Sequence, residues 1–168
     1  METYSLWFQA NQKKIFNSPP RTQQSNSKWN KPPMQFLKCN VDAAIFNSPP
    51  RMGFRCVFDP RTAEALSIRE ALTWFKDLSY SDIVLESDAL TLIEALKNRS
   101  PDDFYVGLII EDARFLALEL NSCSFAFVRR SANQAAHSLA RAAGSLSGRK
   151  GRVIPSPSLV SVVVVPDL

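Results

Sequence analysis

The chain has 168 residues and a mass of 18.8 kDa, which fits one domain with flanking segments and is short for two. Its hydrophobic share of 45% and charged share of 21% are typical of a globular protein and exclude wholly disordered or collagen-like architectures. No apolar run approaches the roughly 18 residues of a membrane span, and the N-terminus has no signal-peptide pattern. We therefore expect an intracellular, unsecreted protein with no membrane association; whether it is nuclear or cytoplasmic stays open.

Charge is distributed unevenly along the chain. Residues 1–38 contain six Lys or Arg and one acid, residues 39–128 contain eight basic and fourteen acidic residues, and residues 129–168 contain six basic residues and one acid. Basic flanks around an acidic middle suit a protein that approaches a polyanion and keeps carboxylates for a cation. A solvated surface with basic tails explains the same pattern.

The composition divides the chain into three segments. Residues 1–35 are polar and basic without an apolar period, which predicts disorder. Residues 36–148 form the predicted domain, and residues 149–168 form a basic, β-prone tail that is either an edge strand or an exposed aggregation-prone segment. The heptapeptide IFNSPPR occurs at residues 15–21 and again at 45–51, and we assign it no chemistry.

The cysteines show no metal-binding pattern. Cys39, Cys56 and Cys123 are widely spaced, with neither a Cys-x-x-Cys pair nor a histidine cluster nearby. We interpret them as buried, reduced thiols.

The predicted domain begins with strand patterns. Residues 38–45 alternate, which places Cys39 and Val41 on one face and Asn40 and Asp42 on the other. Residues 53–58 have the pattern of a second strand, followed by an Asp-Pro turn. We expect the two strands to pair in antiparallel fashion.

From Thr62 onward the apolar residues have helical spacing, and we predict Thr62 to be the N-cap of a long helix. Residues 82–88 are a short, strongly apolar strand that runs directly into helical spacing from Ala89. Pro101 ends that second helix.

The last third of the domain again has helix and strand patterns in turn. Residues 106–117 predict a helix of about four turns, and residues 123–128 predict a strand. Ser131 with Gln134 has the pattern of a capping box that opens a final helix. The element order is β-β-α-β-α-α-β-α, which predicts an α/β fold with a mixed β-sheet flanked by helices.

Three acids are candidates for a common site. Asp42 lies on the first strand, Glu64 in the first turn of the first helix, and Asp88 where a strand becomes a helix. Open α/β sheets form sites beyond the carboxyl ends of their strands, and converging carboxylates bind hard divalent cations that activate water for phosphodiester cleavage. Each acid taken singly also has a structural explanation. Glu64 near a helix N-terminus would interact favourably with the helix dipole, and Asp88 could be the N-cap of the next helix.

Four blocks of the sequence resemble, in order, those of the plant ribonuclease H-like (RNase H type-1) domain of non-LTR retroelement reverse transcriptases. They are residues 38–44 (KCNVDAA), 63–72 (AEALSIREAL), 86–88 (ESD) and 127–140 (FVRRSANQAAHSLA). The resemblance covers roughly residues 29–146, and four blocks in the family's order are more specific than any single motif.

The resemblance implies a ribonuclease H-like fold and hydrolysis of the RNA strand of an RNA–DNA hybrid with two Mg²⁺ ions, Mn²⁺ being an alternative. By matching position, Asp42, Glu64 and Asp88 would be the catalytic metal ligands. The family's fourth acid falls on His137, a weaker ligand for magnesium, and its active-site histidine falls on Phe127. One strand of the family's hairpin is missing between Asp42 and Glu64.

We expect a nucleic-acid partner, an RNA–DNA hybrid by resemblance, and leave protein partners open. The residues expected to contact it are Arg129, Arg130, Asn133 and Arg141. Catalysis stays open at this point. His137 and Phe127 favour a non-catalytic nucleic-acid-binding module, and the repeated heptapeptide with the missing strand favours a decayed retroelement-derived fragment.

Overall fold

A computed structural model describes residues 28–44, 59–98, 104–143, 152–156 and 159–163. A 3-10 turn at Arg130–Ala132 precedes the last helix. The strands are β1 (Leu37–Asp42), β2 (Asp82–Ser87), β3 (Ser122–Phe127), β4 (Arg152–Ser156) and β5 (Leu159–Val163), and the helices are α1 (Pro60–Asp77), α2 (Leu90–Lys97), α3 (Phe104–Glu119) and α4 (Gln134–Ala143).

The strands form one open, mixed sheet in the order β3-β2-β1-β5-β4. The first four strands in that order are parallel, and β4 runs antiparallel to β5. With helices α1 to α4, this architecture confirms the predicted α/β class and is consistent with a partial ribonuclease H-like fold. The register pairs Val41 with Ser87, so the carboxyl ends of β1 and β2 lie side by side.

The C-terminal segment contributes two strands to the sheet. β5 pairs with β1, Asp42 facing Val163, and β4 is the outer strand on that side of the described sheet. The predicted strand at residues 53–58, and with it the question of a missing hairpin strand, lies outside the described residues. The predicted domain limits stay predictions.

The two faces of β1 differ in polarity, as its alternation predicts. Cys39 and Val41 lie in the main hydrophobic core, together with buried apolar residues of α1, α2 and α3. Lys38, Asn40 and Asp42 point to the opposite face and are buried as well. Helix α4 packs on that polar face, where Asn133 and His137 bond to Asn40 and Asp42.

Helix α1 begins two residues before the predicted N-cap, so the assignment to Thr62 is wrong. Asp59 is the N-cap: its carboxylate accepts hydrogen bonds from the backbone N–H of Arg61 (2.9 Å) and Thr62 (3.1 Å), and its bonds to Thr62 hold its pKa below the usual range. Pro60 occupies the first helical position, where its fixed φ and missing N–H cost nothing. Glu64 consequently lies beyond the first turn, so a favourable interaction with the helix dipole no longer explains an acid at this position.

The predicted capping box at Ser131 and Gln134 is also wrong. Ser131 lies inside the 3-10 turn, and α4 begins only at Gln134. The side chain of Asn133, just before the helix, bonds inward to the sheet. The local pattern missed this tertiary contact.

Cys39 and Cys123 are buried thiols, as predicted, and burial raises the pKa of Cys123 to about 12. Cys56 lies outside the described residues. In the described part of the chain, no helix is long and apolar enough to cross a membrane.

A buried arginine of α3 holds the carboxyl end of α2. The guanidinium of Arg114 donates to the backbone carbonyls of Ala95, Leu96 and Asn98, the contact to Leu96 measuring 3.1 Å, and pairs with Glu111. Carbonyls at a helix end lack partners within the helix, so a cation there satisfies them and complements the dipole. Because α2 starts at Leu90, two residues after Asp88, this contact also anchors the helix that leads away from that acid.

We predict that Arg114→Met lowers the free energy of unfolding by about 2–4 kcal/mol, because it leaves buried carbonyls without donors. Lys76→Met is the matched control: it removes an exposed cation that pairs with Glu119 and should cost about 1 kcal/mol or less. Urea denaturation followed by circular dichroism measures both. Equal losses for the two variants would contradict the assigned role of Arg114.

Candidate metal centre

Three carboxylates converge at the edge where β1 and β2 end. Asp42 is the last residue of β1, Asp88 follows β2, and Glu64 comes from α1. One carboxylate oxygen of each lies within 4.8 Å of those of the other two. The structure therefore brings the three acids together, and their use as metal ligands stays a prediction.

Asp42 is held on both sides of its carboxylate and is only 1% exposed. Its Oδ1 accepts a hydrogen bond from the backbone N–H of Ala43 (2.8 Å), and its Oδ2 lies 2.8 Å from Nδ1 of His137. The N–H of Ala43 also reaches Oε1 of Glu64 at 3.4 Å. A single backbone donor is thus shared by two of the three acids.

Asp88 faces the site and does not cap a helix. The N-cap of α2 is Ala89, and among the described residues no side chain bonds to that helix end. Oδ1 of Asp88 accepts a hydrogen bond from Nδ2 of Asn133 (2.9 Å), and Oδ2 accepts one from Nη1 of Arg130 (3.0 Å). The structural explanation that the sequence offers for Asp88 therefore does not apply.

Asn133 lies beneath the carboxylates, at 1% exposure, although the sequence predicts a contact with nucleic acid for it. Besides Asp88, its Nδ2 donates to the backbone carbonyl of Val41 (3.0 Å), and its Oδ1 accepts from Nδ2 of Asn40 (3.1 Å). Its amide thus ties the start of α4 to β1 and fixes one oxygen of Asp88.

A buried ion pair continues this chain of contacts along the polar face of the sheet. Nδ2 of Asn40 donates to Oε2 of Glu86 (3.1 Å), and Oε1 of Glu86 lies 2.7 Å from Nζ of Lys38, both charged side chains being 6% exposed. Glu86 is therefore a buried, paired acid and not part of the cluster formed by Asp42, Glu64 and Asp88. Sequence reasoning missed Lys38 and Asn40 as supports of the site, although alternation along β1 places both on the face of Asp42.

The electrostatics of the cluster favour a cation. Burial, followed by a hydrogen bond with Asp42 and the negative charges of Asp42 and Asp88, raises the pKa of Glu64 to about 9. Oε2 of Glu64 is buried and meets no hydrogen-bond donor among the described residues. Oxygen ligands with crowded negative charge fit a hard divalent ion such as Mg²⁺ or Mn²⁺.

His137 lies beside the three carboxylates as a hydrogen-bond partner of Asp42. Its second ring nitrogen, Nε2, is 3.0 Å from Nη2 of Arg130. Nη2 of Arg130 also lies 2.7 Å from Nδ1 of the same ring, so the donor and acceptor roles of the two ring nitrogens depend on the tautomer. The predicted use of His137 as a weak metal ligand stays a prediction.

The other predicted nucleic-acid contacts lie at the surface. Arg129 and Arg141 are exposed, and the side chain of Arg130 is 57% exposed. Phe127, at the end of β3, is 41% exposed. Arg130 therefore places an accessible positive charge beside Asp88, where a phosphate can reach it.

A protein-family model described as reverse transcriptase-like matches residues 51–143, more than half of the chain. The chain therefore belongs to this ribonuclease H-like family. The matched part contains Glu64, Asp88 and His137 and begins after Asp42. No curated protein matches the chain.

We predict that the metal-free protein loses stability as the pH rises. Glu64 has a pKa of about 9 when folded and an ordinary value of 4.5, so its contribution is full below pH 4.5 and is lost as the pH rises through 9. Glu64→Gln should flatten this dependence, since the amide needs no proton. Glu70→Gln, on the same helix, is the control and should keep the wild-type slope.

Thermal unfolding in a chelating buffer, measured between pH 5 and pH 9, checks this prediction. A wild type and a Glu64→Gln variant with parallel stability curves would show that the three acids do not crowd one another as described.

Proposed function

We propose that the chain binds two Mg²⁺ ions through Asp42, Glu64 and Asp88 and hydrolyses the RNA strand of an RNA–DNA hybrid, with Mn²⁺ as an alternative metal. The observation that supports this proposal is the convergence of three carboxylate oxygens within 4.8 Å. The reverse transcriptase-like family match supports the nucleic-acid substrate. The resemblance to the plant non-LTR retroelement domain supports the finer choice of a hybrid.

Divalent ions at such a site would activate a water molecule and stabilise the leaving oxygen of the phosphodiester. The protein supplies fixed ligands. Ala43 and His137 orient the carboxylate of Asp42, and Asn133 orients that of Asp88. Ligands held in this way need little reorganisation when a metal and a phosphate arrive.

The exposed arginines would bind the phosphate backbone, and Arg130 lies directly beside Asp88. Such contacts position a duplex without reading its sequence, which suits an enzyme that recognises a hybrid by its shape. Arg129, Arg130 and Arg141 have the exposure that this role requires.

A non-catalytic nucleic-acid-binding module is the second candidate. The observation that favours it is the hydrogen bond between His137 and Asp42. His137 stands at the position where the resemblance implies a fourth carboxylate ligand. A site with three acids and an imidazole has less negative charge with which to hold two divalent ions.

The experiment is cleavage of an end-labelled RNA–DNA hybrid in Mg²⁺ and in Mn²⁺. We expect the wild type to cut the RNA strand, and Asp42→Asn and Asp88→Asn each to lower the rate by about a hundredfold or more, because each removes a charged metal ligand. Asp112→Asn, which removes an exposed carboxylate of α3 outside the cluster, is the matched control and should cut like the wild type.

Absence of cleavage by a folded wild type in both metals would reject the enzyme. Hybrid affinity then separates the remaining candidates, because a binding module loses affinity steeply with salt and a decayed fragment has little affinity to lose. Cleavage that survives in both asparagine variants would point to a contaminating nuclease and would also reject the proposed site.

A further inference from the structure

Arg130 joins two of the three acids at the site. Its Nη1 lies 3.0 Å from Oδ2 of Asp88, and its Nη2 lies 3.0 Å from Nε2 of His137, whose Nδ1 is 2.8 Å from Oδ2 of Asp42. The guanidinium thus places a positive charge on the same edge of the sheet as the three carboxylates. It balances part of the charge that a divalent ion would balance.

The two hydrogen-bond donors of Asp88, Asn133 and Arg130, differ in how firmly the fold holds them. Asn133 is 1% exposed and has further bonds to Val41 and Asn40, so it is fixed in the fold. The side chain of Arg130 is 57% exposed and belongs to a short 3-10 turn at the surface. An arriving cation repels the guanidinium and leaves the neutral amide in place.

We propose that Arg130 is the internal counter-ion of the metal-free site, that a divalent cation displaces it from Asp88, and that the released guanidinium then binds a phosphate of the nucleic acid. This inference rests on the proposed function, since it needs a cation at the three carboxylates. It adds to that function a residue that couples metal binding to phosphate binding.

The displaced arginine has the right chemistry for a phosphate. A guanidinium pairs with phosphate oxygens through two parallel hydrogen bonds, and it stays charged at any working pH. Coupling between two ligands is reciprocal, so a bound hybrid that holds Arg130 away from Asp88 also strengthens cation binding. Arg130 therefore contributes to hybrid affinity chiefly when the cation is present.

Calorimetric titration with Mn²⁺ tests the first half of the proposal. Arg130→Gln should bind Mn²⁺ about three- to tenfold more tightly than the wild type, because the metal no longer competes with an exposed ion pair. Arg130→Lys keeps the charge and should restore an affinity close to the wild type. Arg129→Gln removes a neighbouring exposed charge and should change the affinity by less than about twofold.

The second half is tested by hybrid binding with an RNA strand that is 2′-O-methylated against cleavage. In Mn²⁺, Arg130→Gln should weaken binding several-fold; in a chelating buffer, its effect should be smaller. Circular dichroism confirms that each variant is folded. A larger effect of Arg130→Gln without metal than with it would overturn the coupling.

The outcomes separate this inference from the function on which it rests. If Arg130→Gln binds Mn²⁺ no more tightly than the wild type, or if Arg129→Gln gains equally, Arg130 is not the specific counter-ion. If neither the wild type nor Arg130→Gln binds Mn²⁺, the proposed metal site fails and the inference fails with it. Loss of Mn²⁺ binding in Asp88→Asn identifies the measured ion as the one at this site.

Discussion

Negative charge concentrated at the end of two parallel strands is the constraint on which the site depends. Adjacent parallel strands end at the same edge, so Asp42 and Asp88 meet there, and α1 adds Glu64 within 4.8 Å. Burial, together with the hydrogen bond to Asp42 and the negative charges of Asp42 and Asp88, raises the pKa of Glu64 to about 9. A proton on Glu64, the guanidinium of Arg130 and a divalent cation are alternative ways to balance that charge.

The polar face of β1 keeps these acids in place. A chain of hydrogen bonds runs from Lys38 through Glu86, Asn40 and Asn133 to Asp88, and all four side chains before Asp88 belong to buried residues. Buried polar groups are costly unless they are paired, so such a chain has few alternative arrangements and holds α4 in one position on the sheet. The fold thus places a chain of buried polar side chains directly beside the three carboxylates.

Sequence patterns predicted the parts of the structure that depend on neighbouring residues. The alternation along β1 and the switch from strand to helix after Asp88 placed two acids correctly. The burial of Asn133 depends on contacts between segments that are distant in the sequence, and so does the ion pair of Lys38 with Glu86. No local pattern contains such contacts. The parallel pairing of β5 with β1 is likewise a long-range contact. The start of α1 was missed for a different reason: its Asp-Pro pair serves as a helix cap, although the same pair is also a turn signal.

Diffraction from crystals grown in Mn²⁺ tests whether the three carboxylates bind a metal in place of Arg130, because manganese scatters anomalously and its position can be read without a model of the ligands. We predict an anomalous peak between the carboxylates of Asp42, Glu64 and Asp88, with the guanidinium of Arg130 withdrawn from Asp88. A structure in which this edge holds no manganese at concentrations that saturate the protein in solution, and in which Arg130 still pairs with Asp88, would contradict it.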